Sequence, residues 1–183
     1  YHGIVFADLG STAFITRLRT LILRDFGACI SPFNSFLLMQ GLQTLSLRME
    51  RHSQNAQKTA EFLEQHQAVR AVHYPGLKSS PYYELTKRIL PQGVGSVFTF
   101  EIEGGREAAA RFIDSLELVM NVANVGDVRS LVIHPATTTH SQLSDEQLLA
   151  CGIAAGTIRL SVGIEDISDI LEDIESALQK AVQ

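Results

Sequence analysis

The chain contains no apolar run that approaches the ~20 residues a membrane-spanning helix requires, and it shows no signal peptide. It also lacks any run of lysine and arginine and any stripe of basic and aromatic residues, and its formal net charge is −5. These absences argue against membrane insertion and against nucleic-acid binding as a main function. We therefore expect no membrane partner, no nucleic-acid partner and a cytoplasmic location.

Cysteine is scarce, and the motifs of several common enzyme classes are missing. Cys29 and Cys151 lie far apart and outside any CxxC pattern, which predicts two buried free thiols in a reducing compartment. There is no GxSxG motif, no Walker phosphate loop and no dinucleotide fingerprint. His134 and His140 are six residues apart, but no third ligand lies at a recognisable spacing. We therefore expect no metal site.

What the chain does contain is enough apolar sequence for a core. Apolar residues make up 45% of the 183 residues, which suits one domain, or one domain plus a connecting element. Ser31 followed by Pro32 is a helix start signal, and the helical pattern then continues over 31–66, far beyond a mean helix of ~11–12 residues. Gly41 is a candidate bend. Such a helix either joins two domains or packs within one.

Strands alternate irregularly with helices in the remaining sequence. Four strands are predicted, at 69–74, 96–102, 118–122 and 157–162. Shorter helices are predicted between and after them, at 81–90, 106–116, 145–151 and 168–182. We therefore predict the α/β (α+β) class, with a small sheet and helices packed on it.

Arg159 is the first candidate functional residue. The period of two in its strand places Arg159 and Ser161 on the face opposite three apolar residues, Ile158, Leu160 and Val162. Periodicity alone favours an arginine on a solvent face. The alternative is a guanidinium that binds a carboxylate or phosphate through two donors at once. Gly156 and Gly163 flank the strand, and they permit either close backbone approach or plain turns.

Two polar stretches precede that strand. In the turn 124–127, Gly126 supplies backbone freedom and Asn124 offers both a donor and an acceptor. The loop 134–141 is denser in hydroxyl groups than a connector needs. Residue chemistry therefore indicates an α/β domain with a candidate anion-binding arginine.

Longer stretches resemble a known family, the pyridoxal-phosphate enzymes of Cys/Met metabolism. Its C-terminal domain is similar to the runs SLVIHPATTTHSQLSDEQL and GIAAGTIRLSVGIEDISDILEDIESAL. Earlier matches are YHGIVFADLG and FITRLRTLILRDFGACISPFNSFLLMQGLQTLSLRMERH, so the resemblance spans essentially the whole chain. Within the family, the chain looks most like O-acetylhomoserine sulfhydrylases, because the related lyases usually have serine at the position of Asn124.

The resemblance implies roles for particular residues. Arg159 would bind the α-carboxylate of an amino-acid substrate, Asn124 would help to hold the same carboxylate, and Val125 would line the pocket through its backbone. Thr139 would lie near the cofactor, pyridoxal phosphate. Clamping the carboxylate would orient the substrate so that its Cα–H bond is the one activated. No catalytic residue is expected in this chain.

The resemblance also implies a domain organisation and a fold. Residues 1–30 would be the tail of the cofactor-binding domain, 31–66 a long linker helix, and 67–183 the substrate-carboxylate domain. The latter would be the small C-terminal domain of fold-type I pyridoxal-phosphate enzymes, with about four mostly antiparallel strands. The chain begins at Tyr1 without methionine, so we expect a piece of a longer or processed protein.

The implied reaction belongs to sulfur amino-acid metabolism and methionine biosynthesis. It replaces the acetyl group of O-acetylhomoserine with sulfide or a thiol, giving homocysteine or methionine, in a homo-oligomer (a dimer or tetramer). None of the four lysines has the small-hydroxyl context of the family's Schiff-base lysine: Lys58, Lys78, Lys87 and Lys180. The covalent lysine is therefore expected outside this sequence, and the chain alone is predicted to be inactive.

Three alternatives remain open at this stage. The parent protein could be a γ-lyase, it could use the O-succinyl ester, or the chain could be a non-catalytic binding or dimerisation domain.

Overall fold

The structure, a computed structural model, describes residues 1–182. It divides into two compact units, one from Tyr1 to Thr44 and one from Leu45 onward. The first unit is helical, with a 3₁₀ segment (Phe6–Thr12) followed by α1 (Ala13–Arg17), a π-helical segment (Leu18–Leu23) and α2 (Arg24–Phe26). Gly27 ends this run in the left-handed conformation, with φ of 62°, which suits glycine.

The predicted helix over 31–66 is two helices, α3 (Pro32–Gln43) and α4 (Leu45–Glu64), so the prediction of one continuous helix was wrong. Ser31 begins α3 as predicted, and its hydroxyl accepts the N–H of Asn34 at 3.2 Å. The break lies at Thr44, whose φ and ψ of −109° and 6° leave the helical region, and not at Gly41. The two compact units meet in sequence at this break. The assignment of 1–30 to a cofactor domain stays a prediction.

Helix α3 has apolar side chains all round and buries none of them. Four of these side chains are 61–68% exposed: Phe33, Leu38, Met39 and Leu42. An apolar surface of this extent on a helix normally packs against further polypeptide. In the described part of the chain, no helix combines the length and apolarity needed to cross a bilayer.

The second unit is built on a five-stranded sheet with the order β1-β2-β5-β4-β3. The strands are β1 (Val69–His73), β2 (Val97–Ile102), β3 (Met120–Asn121), β4 (Leu131–Ile133) and β5 (Thr157–Ser161). Only the β3–β4 pairing is parallel, so the predicted mostly antiparallel sheet is confirmed. The predicted count of four strands missed β4, because its three residues are all buried and show no alternation.

Helices pack on this sheet and close the core, which confirms the α/β class. Helices α4, α6 (Gly105–Ser115) and α8 (Ile167–Ala181) contribute side chains to this core, and the unit also contains the short helices α5 (Tyr83–Ile89) and α7 (Asp145–Ala150). In β2 the alternation is as predicted, since Phe98, Phe100 and Ile102 are buried. Phe100 packs edge-on against Phe112 of α6, with ring centroids 5.7 Å apart. The same core supports the strand that carries Arg159.

Both cysteines are free, but neither is buried, so the predicted burial was wrong. Cys29 lies between α2 and α3 in the first unit, and no residue of that unit is buried. Cys151 follows α7 directly and is exposed. Both cysteines lie in connecting segments at the surface, where a side chain is not enclosed by the core.

Candidate carboxylate-binding site

Arg159 lies on β5, the middle strand of the sheet. Its Cα pairs with Thr99 of β2 on one side and with Ile133 of β4 on the other. Ile158 and Leu160 are buried in the core, whereas Arg159 is half-buried on the opposite face, as the alternation predicts. Because β5 is hydrogen-bonded along both edges, the backbone position from which the Arg159 side chain extends is well fixed.

The structure brings Arg159 and Asn124 together across 35 residues of sequence. One terminal nitrogen of Arg159 (Nη2) donates to the backbone carbonyl of Asn124 at 3.3 Å. The side-chain oxygen of Asn124 instead accepts the N–H of Val125 at 2.9 Å. The contact with the arginine therefore uses the main chain of Asn124, which residue type alone does not reveal. Val125 is 53% exposed beside it.

Arg159 retains donors for a ligand. Among residues 1–182, no aspartate or glutamate forms an ion pair with it. By contrast, Arg106 pairs with Asp145, and Arg129 pairs with Asp127 at 3.6 Å. Because a guanidinium has five N–H donors, one long bond to a carbonyl leaves a planar fork for a carboxylate or phosphate.

The turn 124–127 is held by hydrogen bonds within the turn and by a hydrogen bond to β5. Gly126 has φ of 75°, which confirms its predicted role in the backbone, and its N–H donates to the hydroxyl of Ser161 at 3.1 Å. Asp127 accepts the N–H of Arg129 at 3.0 Å, and this bond is the main reason that the pKa of Asp127 is lowered. Asp127 is therefore ionised near neutral pH, and its partner Arg129 lies directly after the turn.

The hydroxyl-rich loop begins at His134, a fully buried residue. Its Nε2 lies 2.8 Å from the carbonyl oxygen of Ala155, and its Nδ1 lies 3.0 Å from the hydroxyl of Thr137. A carbonyl only accepts, so Nε2 carries the proton and Nδ1 accepts. Both ring nitrogens are thus occupied within the protein. In the part of the chain that the structure describes, no group of three or more His, Cys, Asp or Glu residues is arranged to hold a metal.

Thr139 lies further along this loop and is exposed. Its hydroxyl lies 2.8 Å from Nδ1 of the neighbouring His140. Within residues 1–182, no hydrogen bond joins Thr139 to Arg159 or to Asn124. A place near a cofactor therefore stays a prediction for Thr139, as do the ligand-binding roles of Arg159, Asn124 and Val125.

A buried polar cluster behind Arg159 escaped the sequence predictions. Nδ1 of His52 lies 2.7 Å from the carbonyl of Val162, and the amide nitrogen of Asn55 donates to the carbonyls of Gly163 and Glu165. His52 and Asn55 are both buried on α4. They share their helix face with Ala56, Thr59, Ala60 and Leu63. An imidazole and an amide side chain on an otherwise mostly apolar helix face were the sequence signal that could have revealed this cluster.

Both glycines that flank β5 allow close backbone approach, as one of the two sequence interpretations held. A Cβ built on Gly156 would lie 2.8 Å from the carbonyl oxygen of Ile102. A Cβ on Gly163 would collide with the backbone of Val128 and Arg129 and with the carboxylate of Glu165. Gly163 thereby lets the segment after the arginine strand lie directly against the two residues that follow the turn.

His134 is expected to make stability depend on pH. Burial lowers its pKa below the ordinary value of 6.5, with a smaller lowering from Arg106, while the bond to Ala155 opposes them. Because the folded-state pKa is the lower one, protons bind preferentially to the unfolded chain. Stability is then fully present above pH 6.5 and is lost as pH falls from there toward the folded pKa.

The measurement is urea denaturation between pH 7.5 and 5.5. We expect His134→Gln, which can keep a donor toward Ala155 but does not titrate, to show a shallower loss of unfolding free energy. His2→Gln is the control, because it removes an exposed imidazole in the other compact unit. Equal slopes for the wild type and His134→Gln would contradict this role of His134.

Comparisons with known proteins show the family of this chain. The model of the family described as Cys/Met metabolism PLP-dependent enzyme matches residues 2–179. The chain belongs to this family. It is 53% identical over 175 residues to O-acetyl-L-homoserine sulfhydrylase of Corynebacterium glutamicum, covering 96% of this chain and 40% of that protein. It is 47% identical over 182 residues to homocysteine synthase of Schizosaccharomyces pombe, covering 99% and 42%.

Two solved structures are also similar to this chain. A Campylobacter jejuni chain described as an O-acetylhomoserine (thiol)-lyase, which carries N'-pyridoxyl-lysine-5'-monophosphate, matches with a TM-score of 0.84 and 43% identity over 98% of this chain and 42% of its own. O-acetylhomoserine sulfhydrylase of Wolinella succinogenes matches with a TM-score of 0.74 and 38% identity over 94% and 46%. The chain thus spans about two fifths of the length of the curated relatives it matches.

The family depends on pyridoxal phosphate, but the residues of this chain do not fit its covalent attachment. All four lysines are exposed: Lys58, Lys78, Lys87 and Lys180. The ammonium of Lys87 lies over the ring of Tyr83, 4.9 Å from its centroid. Within residues 1–182, none of the four is hydrogen-bonded to Arg159 or to the turn beside it.

Proposed function

We propose that the chain is the substrate-carboxylate part of a longer enzyme, hereafter the parent enzyme, that acts as an O-acetylhomoserine sulfhydrylase. One observation carries the proposal. The guanidinium of Arg159 lies on the middle strand beside the turn 124–127, without an acidic partner among the described residues. The relatives and solved structures named above support the ester and the reaction. The parent enzyme would exchange the acetyl group for sulfide or a thiol.

In this proposal, the chain's own residues bind and orient the substrate. Arg159 takes the α-carboxylate through two parallel N–H···O bonds, which fixes both the position and the plane of that group. The turn closes one side of the carboxylate through Asn124 and Val125. Holding the reactant in one orientation converts binding energy into rate. Covalent chemistry on the cofactor is assigned to residues outside this chain.

The proposal also covers the assembly and location of the parent enzyme. The uncovered apolar surface of α3 supports burial against further polypeptide, and we infer a homo-oligomer. Two cysteines without a disulfide support a reducing compartment, and we infer the cytoplasm.

The decisive experiment compares substrates with the purified parent enzyme. We expect homocysteine to form from O-acetylhomoserine and sulfide with a higher kcat/KM than from O-succinylhomoserine. We also expect this reaction to exceed the release of an α-keto acid from homocysteine or methionine. A preference for the succinyl ester, or dominant γ-elimination, would overturn the assignment in favour of one of the two alternative enzymes.

The isolated 183-residue chain is expected to lack covalent cofactor. After incubation with pyridoxal phosphate and removal of the excess, borohydride should fix no yellow absorbance and leave no stoichiometric lysine adduct by mass spectrometry. The parent enzyme treated in parallel should be active before the borohydride step, and after it should carry one adduct per chain and be inactive. Stoichiometric labelling of Lys58, Lys78, Lys87 or Lys180 would show that the chain does form the cofactor linkage.

A further inference from the structure

We propose that Glu165, acting through Ser130, is a positioning residue that holds the segment 124–130 in register with Arg159. This proposal rests on the proposed function, because it concerns the geometry of the same carboxylate site. Glu165 follows the arginine strand, and Ser130 ends the segment that begins at Asn124. The bonds between Glu165 and Ser130 therefore join the segment that follows the arginine strand to the segment that contains Asn124.

The carboxylate of Glu165 makes two bonds to Ser130. One oxygen (Oε1) accepts the backbone N–H of Ser130 at 2.6 Å, and the other (Oε2) accepts its hydroxyl at 2.9 Å. The Ser130 hydroxyl in turn accepts the N–H of Gly163 at 2.8 Å. Ser130 is 1% exposed. Bonds to an ionised acceptor are about twice as strong as neutral ones, so this contact is well suited to fix a backbone position.

Glu165 is itself held by helix α4, so it does not simply follow the turn. Asn55 donates to the carbonyl of Glu165 at 2.9 Å and to that of Gly163 at 3.1 Å. His52 lies 2.7 Å from the carbonyl of Val162. These contacts fix the segment 162–165 to a helix that forms part of the core. A chain of bonds thus leads from the core, through Glu165, to Ser130.

Two further bonds tie the same segment to the arginine strand and its extension. The N–H of Ile164 donates to the carbonyl of Val128 at 2.8 Å, and Gly126 donates to the hydroxyl of Ser161 at 3.1 Å. Besides the bond from Arg159 to Asn124, the attachment at Ser130 is the one among these that involves a charged group, and it consists of two bonds. The carbonyl of Ser130 still accepts the N–H of Met120 at 3.0 Å, so losing the Glu165 bonds would loosen the N–H side of Ser130 and not detach it. The turn before it, which carries the carbonyl that meets Arg159, would then be held less firmly.

Asp173 offers a matched control within the same chain. Its carboxylate accepts three backbone N–H groups, from Glu117, Leu118 and Val119, at 2.8, 3.1 and 2.9 Å. Like Glu165 it is half-buried and joins a helix or loop to a backbone segment. Its bonds lie before β3 and involve no residue of the segment 124–130. Removing either carboxylate therefore removes a similar structural contact, but only one of them concerns the site.

The test compares Glu165→Ala, Glu165→Gln and Asp173→Ala in the parent enzyme. We expect Glu165→Ala to raise the KM for O-acetylhomoserine about 10-fold or more while kcat changes less, and to speed hydrogen exchange in a peptide covering 124–130. Glu165→Gln keeps an acceptor for the Ser130 N–H but loses the charge, so both changes should be smaller than in Glu165→Ala and still clearly above wild type. Asp173→Ala should lower thermal stability comparably, yet leave KM and that peptide's exchange unchanged.

Equal KM increases for Glu165→Ala and Asp173→Ala, or unaltered exchange in 124–130, would overturn the positioning role. If Glu165→Ala does not fold, Glu165→Gln decides by the same two measurements, and wild-type values for both would overturn it. If the wild-type parent enzyme does not use O-acetylhomoserine, the proposed function fails by itself. The exchange measurement then still decides whether Glu165 holds the segment.

Discussion

Replacing Arg159 by alanine in the parent enzyme is expected to raise the KM for O-acetylhomoserine by at least roughly 30-fold. Removing one partner of a desolvated, charged hydrogen bond costs ~2–5 kcal/mol, and each ~1.4 kcal/mol is tenfold in affinity. Arg159 is half-buried, which places the effect toward the lower end of that range. Cofactor content should stay at the wild-type level, because the covalent attachment is assigned to residues outside this chain.

Two variants control this experiment. Arg159→Lys keeps the charge but not the planar pair of donors, so its KM should lie between those of wild type and alanine. Arg70→Ala removes an exposed arginine from β1, an edge strand of the same sheet, and should leave KM unchanged. Loss of cofactor absorbance in Arg159→Ala, at any KM, would mean that this arginine is structural and that the carboxylate is bound elsewhere.

Gly163→Ala is expected to destabilise the chain by ~1–3 kcal/mol, the usual cost of forcing extra volume into a packed site. The added methyl would meet main-chain atoms of Val128 and Arg129, which are less able to move than a flexible side chain. For a chain of this size, the melting temperature should fall by roughly 2–4 °C for each kcal/mol. Urea denaturation and thermal scans would measure both quantities.

Gly41→Ala is the matched glycine substitution. Gly41 lies inside α3, where an added Cβ meets nothing within 4 Å. Alanine in a helix interior is favoured over glycine by roughly 0.5–1 kcal/mol, so this variant should not lose stability. A comparable loss at Gly41 and Gly163 would show that close approach to Val128 and Arg129 is not what makes Gly163 necessary.

Local periodicity predicted the parts of the fold that periodicity controls. The alternation in β2 was readable because that strand has one core face and one more accessible face. In β5 the sequence alternates between apolar and polar residues, although all of its residues except the half-buried Arg159 are buried. Strand β4 was not readable, since all three of its residues are buried between neighbours that only the tertiary structure supplies. The break at Thr44 was missed for a related reason, because helical spacing continues through it.

The candidate site was less accessible to residue patterns. Periodicity favoured a solvent-facing Arg159, residue chemistry left a carboxylate or phosphate ligand as an alternative, and the family resemblance favoured the carboxylate. The contact between Arg159 and Asn124 uses a backbone carbonyl, which every residue possesses. The bonds between Ser130 and Glu165 join residues 35 apart. Of that cluster, only His52 and Asn55 within the buried face of α4 left a trace in the sequence.

The position of Arg159 in the sheet has a consequence for how enzymes with this domain diversify. Its strand is paired along both edges, so moving the guanidinium would require rebuilding the sheet. The turn 124–127 is largely exposed, and turns of this kind tolerate substitution better than paired strands do. We therefore expect new substrate preferences to evolve by substitutions in the turn, while the arginine proposed to bind the carboxylate keeps its place.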